Sequence, residues 1–130
     1  VKLKALESIE RIFVTCSMTS PSADIGVEEL ARAHRRQGYS TVAVHHVIRR
    51  DGTVEAGRDE SVRGAASPTF SDCALQVCLI GGLNDALEPK GTFTEEQTAA
   101  LLRLRDAYGV PLFYGLEPPL LTLKETLKEP

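Results

Sequence analysis

The run Ala74–Ile80 (ALQVCLI) constrains this chain most. It is apolar but for Gln76, rich in branched side chains and stopped by Gly81-Gly82, the pattern of a strand buried in a sheet. Two further runs read the same way: Arg11–Ser17 (RIFVTCS) and Thr41–Ile48 (TVAVHHVI). The second passes through Arg49-Arg50 into Asp51-Gly52, a two-residue hairpin turn, and returns over Thr53–Ala56. Val110–Tyr114 is expected to be a last short strand.

Helical periodicity fills the intervals. Val27, Leu30, Ala31 and His34 share one face of VEELARAHRRQG, with acidic residues opening the segment, basic ones closing it and Gly38 as its stop. Thr94 followed by Gln97 makes a capping box for a helix through Tyr108, whose stripe is Ala100, Leu101, Leu104, Ala107 and Tyr108; Gly109 and Pro111 end it. Ser61–Asp72 and Asn84–Gly91 read as loops, and the tail after Gly115 holds at most a short helix. Strands alternating with helices around a central sheet imply one α/β or α+β domain.

The 130 residues suffice for a single core without staples, and 42% hydrophobic with 25% charged residues excludes a disordered chain. Fifteen basic against 18 acidic residues, with no basic tract, argues against direct nucleic acid binding. The apolar runs fall short of the ~20 residues of a membrane span, so no membrane partner is expected. Lys2, Lys4, Glu7 and Glu10 interrupt any leader-like segment, and a cytoplasmic location is expected. Cys16, Cys73 and Cys78 cannot all pair, and no local metal-clip spacing joins them; reduced, mostly buried thiols are expected.

The stretches VAVHHVIRRDGTVEAGRDE, VCLIGG, IFVTCS and the helix ending in RRQG resemble the bacteriophage T7 lysozyme family of zinc-dependent N-acetylmuramoyl-L-alanine amidases, which includes the peptidoglycan recognition proteins. The resemblance spans about Arg11 to Tyr114 of a single domain over 1–130, leaving 115–130 as a divergent tail. It implies an α/β fold with a central mixed sheet flanked by helices. It also implies hydrolysis of the amide between the lactyl group of muramic acid and L-alanine, by a zinc on two histidines and a cysteine, assisted by a tyrosine and a lysine-like group.

Position by position, those groups are replaced. Thr15 stands where the first histidine is expected, and Val44 where the tyrosine is. Gly115 and Leu123 occupy the places of the second histidine and the cysteine, and Leu121 that of the polar helper; Lys124 is off register. Only Glu117 survives in that segment. In the loop, Ala66 replaces a histidine and Ser71 an asparagine. The expected remnant is a groove of Thr15, His45, Ala66, Ser71 and Glu117, without zinc and without catalytic residues. His45 is expected to pack beside it, and His46, in place of an aromatic, to be a packed side chain.

No other chemistry emerges: Ser17 and Ser20 lack a His/Asp set, and Asp59-Glu60 are adjacent rather than opposed. Arg49, Arg50, Arg58 and Arg63 are expected to form a solvated, salt-bridged surface. The resulting expectation is an inactive amidase homologue kept as a binding protein, a regulator of a phage RNA polymerase or of another protein. The alternatives are a pseudoenzyme holding a peptidoglycan fragment and, last, an active amidase. Leu120, Leu121 and Leu123 are expected to pack into or across the vacated site and close it.

Overall fold

The computed structural model describes residues 4–67 and 71–127; part of the expected loop, 68–70, and the last residues of the tail lie outside them. The elements in chain order are β1 (Arg11–Cys16), α1 (Val27–Arg36), β2 (His46–Ile48), β3 (Val54–Ala56), β4 (Ala74–Leu79), α2 (Glu95–Tyr108), β5 (Leu112–Tyr114) and α3 (Pro118–Leu127). The sheet order is β3-β2-β4-β1-β5. Only the β2–β3 pair is antiparallel; β2, β4, β1 and β5 run parallel, so the sheet is mixed. Every residue of β4 is buried, Gln76 included, as its nearly continuous apolar run requires of a central strand covered on both faces.

The chain leaves β1 over one face, through α1, to reach β2. It leaves β4 over the other face, through α2, to reach β5. The core is split accordingly. Ile12, Val14, Leu75, Val77 and Leu79 face α2 and α3, with Leu101, Leu120 and Leu123 closing that side. Val47, Cys78 and Ile80 face α1 through Leu30. Among the described residues no helix is long and apolar enough to cross a membrane.

The capping box at α2 is present as expected: Thr94 Oγ1 accepts from Gln97 N–H (3.0 Å) and Gln97 Oε1 from Thr94 N–H (3.0 Å), while Gly109 ends the helix with φ 65°. Gln97 does more than cap. Fully buried, its Nε2 donates to the carbonyls of Ile48 (3.1 Å) and Ile80 (2.7 Å), tying α2 to two strand ends.

Four expectations are corrected. The hairpin turn has three residues, because Arg49 N–H bonds to Thr53 O and Gly52 N–H to Arg49 O (both 2.9 Å); Gly52, at φ 90°, takes the left-handed position after a type I turn. The strand expected over Thr41–Ile48 is regular only from His46, because the backbone of 43–45 bonds to scattered partners. Ala43 N–H goes to His34 Nδ1, Ala65 N–H to Ala43 O and Arg58 N–H to Val44 O. The arginines do not share one solvated surface. Arg49 and Arg63 pair outward with Asp24 and Glu7, but Arg58 is buried on the carbonyls of Val42 and Arg63, and Arg50 bonds inward to Thr92 O and Gln97 Oε1.

The fourth correction concerns the tail. It forms a ten-residue helix, α3, whose Leu120 and Leu123 enter the core on the α2 face, opposite the face that carries Thr15; Leu121 is 45% exposed. Among the described residues, the tail therefore does not close the groove.

Candidate functional site

Side chains of Arg11, Phe13 and Thr15 alternate with the buried Ile12 and Val14, so they project to the α1 face. Helix α1 covers only the β2–β4 half of that face, leaving the β1–β5 half, where Phe13 pairs with the exposed Phe113, without a helix above it. The step between covered and uncovered halves is a groove of about 290 Å³, lined among others by Thr15, Val44, Ala65, Ala66, His34 and Tyr39. It reaches the carboxyl ends of β1 and β4, the neighbouring strands from which the chain departs to opposite faces, where an open α/β sheet leaves a crevice.

The wall of this groove is held by two buried residues behind it. His45 Nδ1 accepts from Gln76 N–H (2.8 Å), so Nε2 carries the proton and donates to Val62 O (2.7 Å). Burial holds this imidazole below its ordinary pKa, outweighing the bond to Val62, and the ring is neutral. Gln76 Oε1 accepts from Ala66 N–H (2.7 Å) and Nε2 donates to Ser67 O (3.3 Å). The loop comes this close because residue 64 is glycine: a Cβ there would lie 2.5 Å from Gln76 Oε1. The packed role expected for His45 is the one it has; Gln76, the single polar residue in an otherwise apolar strand, is the partner that sequence reading passed over.

The wall formed by α1 is positioned from the hairpin. Gly26 has no side chain to cap the helix, and Glu55 Oε1 on β3 accepts from Val27 N–H (2.8 Å) instead. His34 accepts from Ala43 N–H (2.9 Å), joining the helix to the groove floor; burial and the charge of Arg58 lower its pKa.

Of the residues expected at the remnant groove, Thr15 and Ala66 line it and His45 supports it. Ser71 and Glu117 are not among its lining residues. Glu117 lies after β5, half-buried, with Oε2 buried and without a hydrogen-bond partner among the described residues. Burial first, and the Glu117 carboxylate second, push the Cys16 thiol up to about 12; burial pushes Cys78 up as well. Both thiols are therefore protonated and poor nucleophiles. All three cysteines are free. Of the remaining positions, Val44 lines the groove, Gly115 extends the sheet by bonding to Val14 O (2.9 Å), and Leu121 and Leu123 stand on α3 across the sheet.

A zinc here would need three donors converging from one side. The structure offers the Thr15 hydroxyl, no donor from Val44 or Gly115, and a leucine in the opposite core; among the described residues no three His, Cys, Asp or Glu side chains are grouped to hold a metal ion. This donor set does not fit a zinc ion. Ser17 Oγ is engaged by Gly81 N–H (2.9 Å) and Thr19 Oγ1 (2.7 Å) and has no base beside it. The groove can thus bind through hydroxyl, amide and imidazole groups, and no charged side chain lines it.

On the other face, His46 Nε2 (2.6 Å) and Tyr108 Oη (2.5 Å) both donate to Glu60 Oε2, locking the loop after β3 to β2 and to the last turn of α2. Burial works against the Glu60 charge, but the bonds from Tyr108 and His46 outweigh it and hold the carboxyl below its ordinary range; burial first, and the Glu60 carboxylate second, push Tyr108 up to about 12. A depressed folded pKa gives stability that is present above the unfolded value of about 4.3 and lost as pH falls through the folded one. The stability gap between wild type and Glu60→Gln, measured by urea unfolding, is expected to shrink as pH drops below about 4; a gap independent of pH would contradict it.

No family model matches the chain. The endolysin of Escherichia phage T7 is 42% identical to it over 104 residues, covering 80% of this chain and 69% of that protein. Among solved structures, the N-acetylmuramoyl-L-alanine amidase LysC from Clostridium intestinale superposes with a TM-score of 0.75 at 20% identity, over 100% of this chain and 92% of that one. Peptidoglycan recognition protein-LE, solved in complex with tracheal cytotoxin, a monomeric diaminopimelic acid-type peptidoglycan, superposes with a TM-score of 0.76 at 14% identity, over 100% and 84%. The two structural likenesses show a shared amidase and peptidoglycan recognition fold. The sequence identity goes further, and by it the chain belongs to the family of phage T7-type endolysins.

Proposed function

We propose that this chain is a non-hydrolytic member of the endolysin family that binds a peptidoglycan fragment in the groove beside α1, without zinc. The observation that carries this reading is an open groove whose wall is held by His45 and Gln76 and whose lining offers Thr15 and Val44 where the family resemblance implies a metal ligand and a catalytic tyrosine. Peptidoglycan recognition protein-LE holds its muropeptide on the same fold, which supports the ligand class. The uncharged lining suits the N-acetyl, lactyl and methyl groups of such a fragment better than its carboxylates.

Isothermal titration with a soluble muropeptide tests it. Saturable binding of one fragment per chain is expected, lost in Ala66→Trp, which fills the groove, with no zinc by elemental analysis. Release of free N-terminal alanine from purified cell wall would overturn the non-hydrolytic reading. Thr15→His alone is expected to restore neither zinc nor hydrolysis, since one ligand binds weakly without the others.

A second reading, a regulator of a phage RNA polymerase or another protein, is favoured by Leu116, which is 83% exposed beside the edge strand β5. It predicts partner binding that survives Ala66→Trp and is lost in Leu116→Glu.

A further inference from the structure

A second groove, of about 480 Å³, lies on the opposite face of the sheet between α2 and α3. Phe93, Ala99, Leu102 and Leu123 line it with apolar surface. Thr92 also lines it, and the three helical threonines of the lining turn their hydroxyls to their own helices: Thr98 donates to Thr94 O (3.2 Å), Thr122 to Pro118 O (3.2 Å) and Thr126 to Thr122 O (2.9 Å), leaving their methyl groups to the groove. Glu95 is the charged residue of the lining, beside Glu96 in the acidic first turn of α2.

Helix α3 supplies both a wall of this groove and a surface of the complementary kind. Its Leu120 and Leu123 are in the core, while Leu121 is turned outward and 45% exposed. Lys124, three residues on, shares the exposed side with Leu121 and is the basic residue of the last turn. A leucine knob followed by a lysine is what a methyl-lined groove with an acidic rim accepts. Because knob and groove wall belong to one helix, a two-fold rotation that seats α3 of one copy over the groove of another seats the reciprocal pair as well.

We propose that a second copy of this chain occupies the α2–α3 groove, as an isologous dimer in which Leu121 of each copy enters the other's groove and Lys124 meets Glu95. This does not rest on the proposed peptidoglycan site, which is on the other face of the sheet, and the dimer leaves that site open.

Sedimentation equilibrium of the full chain tests it. The mass is expected to rise from one chain towards two as concentration increases from about 1 µM to about 500 µM, the range of weak specific interfaces. Leu121→Glu, at an exposed position that the fold tolerates, weakens association by about tenfold or more. Glu95→Lys and Lys124→Glu each weaken it, and the double exchange restores it to within about twofold of wild type. A chain that stays monomeric throughout overturns the proposal. So does a dimer indifferent to Leu121→Glu, or a double exchange no stronger than its singles. Recovery of a small apolar ligand or a different protein in this groove, with the chain still monomeric, also counts against it.

Discussion

Leu120→Ala is expected to destabilise the protein by about 2–5 kcal/mol, a large part of the roughly 5–15 kcal/mol typical of a domain. Leu120 is fully buried and shares a cluster with Ile12, Val14, Leu75, Leu101 and Leu112, so α3 closes the core over β1 and β5. Removing its side chain leaves a cavity that β1 cannot collapse to fill, since it is anchored on both sides by β4 and β5. Leu121→Ala, one residue along and outside the core, is expected to change stability by no more than about 0.5 kcal/mol. Chemical denaturation at low protein concentration separates the two. Equal effects would mean that the tail is not part of the core. Because α3 and the α1-side groove lie on opposite faces, Leu120→Ala should leave muropeptide affinity unchanged wherever the protein remains folded.

Gln76→Met is expected to act on both stability and binding. Methionine fills nearly the same volume but leaves the Ala66 N–H without an acceptor and the Ser67 carbonyl without its donor. At about 1–3 kcal/mol for each of the two polar groups left unpaired, the expected loss is about 2–6 kcal/mol. The loop over 64–67 then loses the bonds that set the groove wall, and a fragment bound there should be released. Thermal unfolding gives the first effect and titration calorimetry the second. A variant that loses stability yet binds normally would show that Ala65 and Ala66 are not part of the binding surface.

Local patterns carried much of this fold. The capping box at Thr94 and Gln97, the stop at Gly109 and the largely apolar run of β4 depend on neighbours within a few residues, and the structure has all three. The amphipathic stripe of α1 likewise appears as read, with Leu30 buried between Val27 and Ala31. The stretch before His46 was less legible. Val42, Val44 and His45 have strand-like side chains, but the backbone groups of 42–45 bond to scattered residues, Val42 and Val44 to Arg58, Ala43 to Ala65 and His45 to Gln76, so composition and conformation part company. Arg58 was misread for the same reason: a charge count sends it to the surface, whereas two carbonyls draw it inward.

The candidate site divides in the same way. The expectation that Thr15, Val44, Ala66, Gly115 and Leu123 replace the family's functional residues rests on residue identity read along the chain. Which of them share a surface could not. Burial of Leu120 and Leu123 follows from their hydrophobicity, but hydrophobic attraction has no direction and does not say which face of the sheet they cover. The parallel pairing of β1 with β4 and β5, and the crossover of α2, placed α3 opposite Thr15 and kept the groove open. Sequence alone determined where most of the elements form and which residue types each one offers, because capping, turns and residue chemistry are local; only the tertiary structure decided which face each element covers, because that depends on strand order and on contacts between distant residues.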